Sequence, residues 1–125
     1  MPTLEVAAQN AACDAITALI DVGGAGSCVF ETDGDVEVAT CPFSAEAFGA
    51  AAAGVCTSAA ITSDETATGG VIEHVTFNSG TPAKIMECTI DVDSLSDFQI
   101  SSLTIGAGDT VSIGLGEVTV TVPAS

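Results

Sequence analysis

Basic side chains are almost missing: Lys84 is the only Lys or Arg in 125 residues, against 17 Asp and Glu, for a formal net charge of −16. Nucleic acids and anionic membranes are gripped mainly by Lys and Arg that neutralise their charge, so neither is expected as a partner. Trp and Tyr are absent and Phe occurs five times. Sugar platforms and adaptable paratopes lean on Trp and Tyr, so that class of binder loses its usual tools. No stretch reaches about 18 consecutive apolar residues, and no membrane span is indicated. The first 20 residues carry Glu5 and Asp14 and no cation, the wrong pattern for a secretory signal, so synthesis in a cytoplasm as a soluble chain is expected. The five cysteines, Cys13, Cys28, Cys41, Cys56 and Cys88, are odd in number and never spaced Cys-x-x-Cys. A disulfide framework would favour an even count and a zinc finger closely paired ligands, so small buried thiols are the expectation.

Apolar residues make up 47% of the chain, too many for a charged disordered segment, and the length suits one domain over residues 1–125. Residues 3–21 are Ala-rich and free of Gly and Pro, which predicts a helix that Gly23 and Gly24 terminate. Asn10, Asp14, Thr17 and Asp21 recur at helical spacing as one polar stripe. Apolar residues occupy well over half of the remaining circumference, more than the roughly 100° stripe a monomer's surface helix needs. Leu4, Ala8, Ala12, Ile16, Leu19 and Ile20 are therefore candidates for contact with other subunits.

From residue 27 to 123 short β-type runs alternate with turn residues. Residues 27–32 and 35–41 form a predicted hairpin about Asp33-Gly34, and 55–62, 71–78, 83–92, 101–105, 110–115 and 117–122 are further strands. Residues 43–53 are ambiguous between loop and short turn. About seven to eight short strands at such spacing predict a mainly β fold, an antiparallel sandwich or barrel, with one N-terminal helix.

Reactive groups are few. His74 is the only histidine, and its neighbour Glu73 projects to the opposite face of a strand, so adjacency does not make the two a base and its orienter. No Gly-x-Ser-x-Gly elbow exists, and the expectation is a chain without catalytic residues. Seventeen acids produce chance carboxylate pairs, and the lack of Trp and Tyr argues against a glycosidase. Asp33 and Asp35, and separately Asp91 and Asp93, place oxygens at alternate positions near turns, as calcium sites do, but without a twelve-residue ligand loop. They stand as weak candidates for calcium, and no other cofactor is expected.

The order of three segments adds a resemblance. AAQNAACDAITALIDVGGAG, then AFGAAAAGVCTSAAITSDETATGG, then SSLTIGAGDTVSIGLGEVTVTVP together resemble a family of small structural proteins of tailed bacteriophages. The likeness covers most of the chain and departs from the family pattern between Cys28 and Phe43 and between Val71 and Asp93, where VIEHVTF replaces an aromatic strand. It implies a virion component on the capsid exterior, a decoration or cement protein whose partners are the major capsid protein and copies of itself, a trimer by preference. No site residue is carried over from it. A tail or fibre component that reads a receptor, with calcium assistance, is the alternative, and a small hydrolase acting through His74 is a third class.

Overall fold

A computed structural model describes residues 2–93, 96–114 and 118–125. Its body is mainly β, antiparallel and sandwich-like, with one N-terminal helix, as the sequence implies. Helix α1 is Val6–Ile20, shorter than the expected 3–21: Glu5 is an N-cap in extended backbone, and Asp21 caps the other end before Gly23 and Gly24 turn the chain at positive φ. The strands are β1 (Ser27–Glu31), β2 (Glu37–Pro42), β3 (Val55–Thr57), β4 (Gly70–Val71), β5 (His74–Asn78), β6 (Lys84–Asp91), β7 (Phe98–Gln99), β8 (Thr104–Ile105) and β9 (Thr119–Thr121). The main sheet runs β2-β1-β5-β6-β7, with antiparallel pairing except for β6 with β7, and two small sheets join β3 to β9 and β4 to β8.

Several expected strands are shorter or broken. Residues 55–62 pair as β3 only as far as Thr57, after which Ser58 and Ile61 make single bridges to Phe48 and Phe43. Residues 71–78 divide because Ile72 and Glu73 change partners, their N–H groups donating to Leu103 O (2.8 Å) and Glu31 O (2.8 Å). Residues 101–105 pair only at β8, and 110–115 contribute a bridge from Val111 to Asp64. Leu115 and Glu117, at the edges of two expected strands, lie outside the described residues.

Cross-strand register explains the core. Cys28 and Phe30 of β1 stand opposite Phe77 and Val75 of β5 and opposite Cys41 and Ala39 of β2, and all six are buried on one face. Paired residues share a face, so the opposite face carries Thr40, Val29, Glu31, His74, Thr76 and Glu87. All five Phe rings join one cluster on the inner side: Phe43, Phe48 and Phe98 surround Phe77 with centroids 5.4–6.4 Å away, and Phe98 also meets Phe30 edge-on.

Two turns hold a non-glycine residue in left-handed backbone. Between β1 and β2, Asp35 N–H donates to Thr32 O (3.0 Å) and Thr32 N–H to Val36 O (2.9 Å), with Asp35 at φ +61. That is a three-residue loop closed by a left-handed residue, so Asp35 sits in the turn and not in β2, where the alternation of the sequence had placed it. Before β3, Ala52 and Val55 exchange both hydrogen bonds around Ala53 (φ +52) and Gly54 (φ +78), a two-residue turn of type I′. A Cβ at Gly54 would stand 2.8 Å from Val122 O, so glycine is required for conformation and for space.

Candidate functional site

Helix α1 turns Cys13, Thr17 and Ile20 to the core and lays its polar stripe along the edge of that contact, against residues 47–54. Asn10 Oδ1 accepts from Gly54 N–H (2.7 Å), Asp14 Oδ1 from Ala51 N–H (2.8 Å) and Asp21 Oδ1 from Ala47 N–H (2.9 Å). As the helix ascends, its acceptors meet donors in descending order along residues 47–54, so the two segments run antiparallel and the side chains satisfy loop N–H groups that no strand partner takes up. Gln9 Nε2 and the Cys13 thiol donate to Val122 O (2.8 Å) and Val120 O (3.1 Å), fastening the helix to β9. Thr17 turns its hydroxyl back to Cys13 O (3.1 Å) and is buried.

The consequence is an apolar outer face. Ala8, Ala11, Ala15 and Ala18 are exposed along its middle, while Leu4, Leu19 and Val22 flank them at 41%, 51% and 52% exposure. Of the residues expected to meet other subunits, Leu4, Ala8 and Leu19 lie on this face. Ala12 and Ile16 are half-buried at its border, and Ile20 is wholly inside the core and is not available for an outside contact. Ala8, Ala11, Ala15 and Ala18 themselves form an uncharged strip, bordered on one side by the exposed carboxylate of Asp14, on a chain of net charge −16.

A second cluster sits on the polar face of the main sheet. Glu31 and His74 are direct cross-strand partners in β1 and β5, the position at which side chains of adjacent strands meet. His74 Nε2 lies 2.9 Å from Glu31 Oε1 and 3.0 Å from Asp35 Oδ1, and Nδ1 lies 3.9 Å from Glu87 Oε1. The Thr76 hydroxyl donates to Glu31 Oε1 (2.7 Å), fixing that carboxylate in place. Lys84 is also here, hydrogen-bonded to Glu87 Oε2 and thereby holding the Glu87 carboxyl below its usual range. The chain's only histidine and only lysine thus share one open depression with Asp33, Asp35, Glu73 and Glu87. Sequence adjacency pointed to Glu73, but the partner of His74 comes from β1, a distant strand that only the sheet order brings beside it.

Of the four aspartates considered for calcium, Asp35 alone joins a group of ligand atoms that could share one ion among the described residues, together with Glu31 and His74. Asp33 lines the same depression without entering the group, and Asp91, at the end of β6, accepts from Val92 N–H (2.7 Å). Asp93 is not part of the cluster.

The thiols are placed for packing. Burial raises the Cys28, Cys41, Cys56 and Cys88 thiols, Cys56 to about 12 and Cys88 to about 11, the opposite of what an activated nucleophile requires. Cys88 faces the same side of the sheet as Val75, opposite to His74. A hollow of about 1070 Å³ is walled by apolar residues such as Phe77, Met86, Phe98 and Val118.

Comparison with known proteins finds no matching family model, no matching curated protein and no matching solved structure.

Proposed function

We propose that the protein is a non-enzymatic structural component of a virion, a capsid decoration or cement protein that assembles as a trimer through the outer face of α1 and stabilises the shell by adding buried contacts. One observation carries this reading: a helix whose hydrogen-bonding residues are spent on its own fold and whose apolar side is left outward. Contiguous exposed apolar surface of this kind marks a contact site. The occupant is a second copy. Elsewhere the acidic surface repels its like, and Ala8, Ala11, Ala15 and Ala18, with Asp14 at their border hydrogen-bonded to Ala51 N–H, form the strip along which small side chains let two helices approach closely. The segment order shared with small tailed-phage structural proteins supports the placement on a capsid, and the protonated, buried thiols support a role without covalent chemistry.

Sedimentation equilibrium of the purified chain tests the assembly step. A trimer is expected, and Ala15→Glu, which puts a carboxylate at the centre of the strip without touching the core, is expected to give a folded monomer. A wild-type chain that remains monomeric at tens of micromolar, roughly the range in which weak homotypic contacts form, overturns the proposal. Quantifying the chain in purified particles then separates the capsid from the tail: copies comparable to the shell subunit support decoration, and a few per particle contradict it.

A further inference from the structure

We propose that Glu31, Asp35 and His74 form a binding site for a single divalent transition-metal ion, zinc or manganese, independent of the assembly surface on α1. Nε2 of an imidazole carries at most one hydrogen, yet two carboxylate oxygens converge on it at 2.9 and 3.0 Å. A hydrogen bond answers one of them; a doubly charged ion between the three atoms answers all. The ligand atoms lie within 4.8 Å of one another. Ligands about 2.0–2.1 Å from one zinc ion at the tetrahedral angle stand about 3.3 Å apart, so each carboxylate oxygen needs to move only a few tenths of an ångström from Nε2 to share an ion with it.

The setting is that of a metal centre with open positions. His74 is 8% exposed and held between strands, whereas the Asp35 side chain is 72% exposed on the hairpin loop and free to close on an ion. The Thr76 hydroxyl orients Glu31 from behind, as outer-shell donors orient metal-bound carboxylates. The depression in front opens to solvent, which supplies water for the remaining positions. An imidazole ligand selects against calcium, a hard cation that takes six to eight oxygens, and in favour of zinc, while the two carboxylates also admit manganese. Bound there, the ion ties β1, the β1–β2 loop and β5 together.

Titration calorimetry on chelator-treated, reduced protein tests the site with Zn²⁺, Mn²⁺ and Ca²⁺ as probes. One Zn²⁺ per chain is expected, with Ca²⁺ at least about tenfold weaker, and Asp35→Asn is expected to weaken Zn²⁺ at least about tenfold. Asn keeps the left-handed turn that Asp35 occupies, so this variant leaves the fold in place. A second measurement needs no variant: His74 is the only histidine, so its ring C–H signals in the proton NMR spectrum are assigned by inspection, and Mn²⁺ below one equivalent is expected to broaden them. Zinc affinity unchanged by Asp35→Asn would put the ion on the thiols and overturn the proposal. So would His74 ring signals that Mn²⁺ leaves sharp, or calcium binding as tightly as zinc.

Discussion

Replacing Asp21 by Ala removes an acceptor that lies 2.9 Å from the N–H of Ala47, a residue with no solvent exposure. A hydrogen bond to a charged acceptor contributes about 1.5–3 kcal/mol, and losing it leaves a buried donor without a partner. Against this, Asp21 is the C-cap of α1, where a negative charge opposes the helix dipole by about 0.3–1 kcal/mol, and Ala relieves that repulsion. The net expectation for Asp21→Ala is a loss of about 1–2.5 kcal/mol. Asp21→Asn separates the two effects. It keeps a neutral acceptor for Ala47 N–H, and the weaker bond offsets the relieved repulsion, so it is expected to stay within about 0.5 kcal/mol of the background. Both changes belong in an Ala15→Glu background, where subunit association no longer adds a concentration-dependent contribution to stability. Urea unfolding is followed by far-UV circular dichroism, since the chain has neither Trp nor Tyr to report by fluorescence. With a slope of about 2 kcal/mol per molar urea, Asp21→Ala is expected to lower the midpoint by roughly 0.5–1.3 M relative to the background, and Asp21→Asn to leave it within about 0.3 M. Equal midpoints for the two variants would refute the docking of the stripe on residues 47–54, and with it the claim that the apolar side of the helix faces out.

Two further outcomes are expected. Ala53 is a non-glycine residue at φ +52 in a type I′ turn and is exposed; Asn tolerates that conformation better, so Ala53→Asn is expected to raise stability by roughly 0.5–1 kcal/mol in thermal melts, and a lower melting temperature contradicts the turn assignment. The raised thiols make a prediction about pH. Unfolded cysteines ionise from about pH 8.5, while burial keeps Cys56 and Cys88 protonated until about 12 and 11. Their contribution to stability is therefore complete below about pH 8.5 and declines as pH rises toward those values. Melting temperature is expected to fall between about pH 8 and 10, and iodoacetamide at pH 8 to modify the wholly buried Cys56 only after unfolding; rapid labelling of Cys56 in the native protein contradicts its burial.

The β1–β2 hairpin was legible because Asp33-Gly34 is a local turn signal and the flanking residues alternate, and the helix because a Gly-free, Ala-rich run has one conformation to prefer. What local pattern did not carry was partner exchange. Residues 71–78 look continuous because Val71, Val75 and Phe77 are all β-formers, yet β4 pairs with β8 while β5 pairs with β1 and β6, and the break between them is set by which distant strand arrives. The same holds for the metal-ligand cluster. Glu31 and His74 are 43 positions apart and meet only because β5 lies beside β1. Alternation still held a usable signal, since Glu31 and the pair His74 and Thr76 interrupt otherwise apolar strands with polar groups on a single face each.

The helix shows a deeper limit. Helical spacing placed Asn10, Asp14, Thr17 and Asp21 on one stripe but said nothing of which way that stripe points, because the usual rule that the polar side meets water assumes that water is the best partner those side chains can find. Here residues 47–54 lack strand partners for several N–H groups, and the three side-chain acceptors supply them. A backbone donor buried without a partner costs more than an exposed Ala gains by being covered, because alanine has little apolar area to hide while an unpaired N–H loses a whole hydrogen bond. Docking the polar stripe on residues 47–54, beside a core contact made by Cys13 and Ile20, is thus the lower-energy choice for the isolated chain, and it leaves Leu4, Leu19 and Val22 outside as a deficit that the fold cannot make good alone. Burial between copies removes that deficit, so the residues that stabilise the single subunit from within also determine the face on which subunits meet.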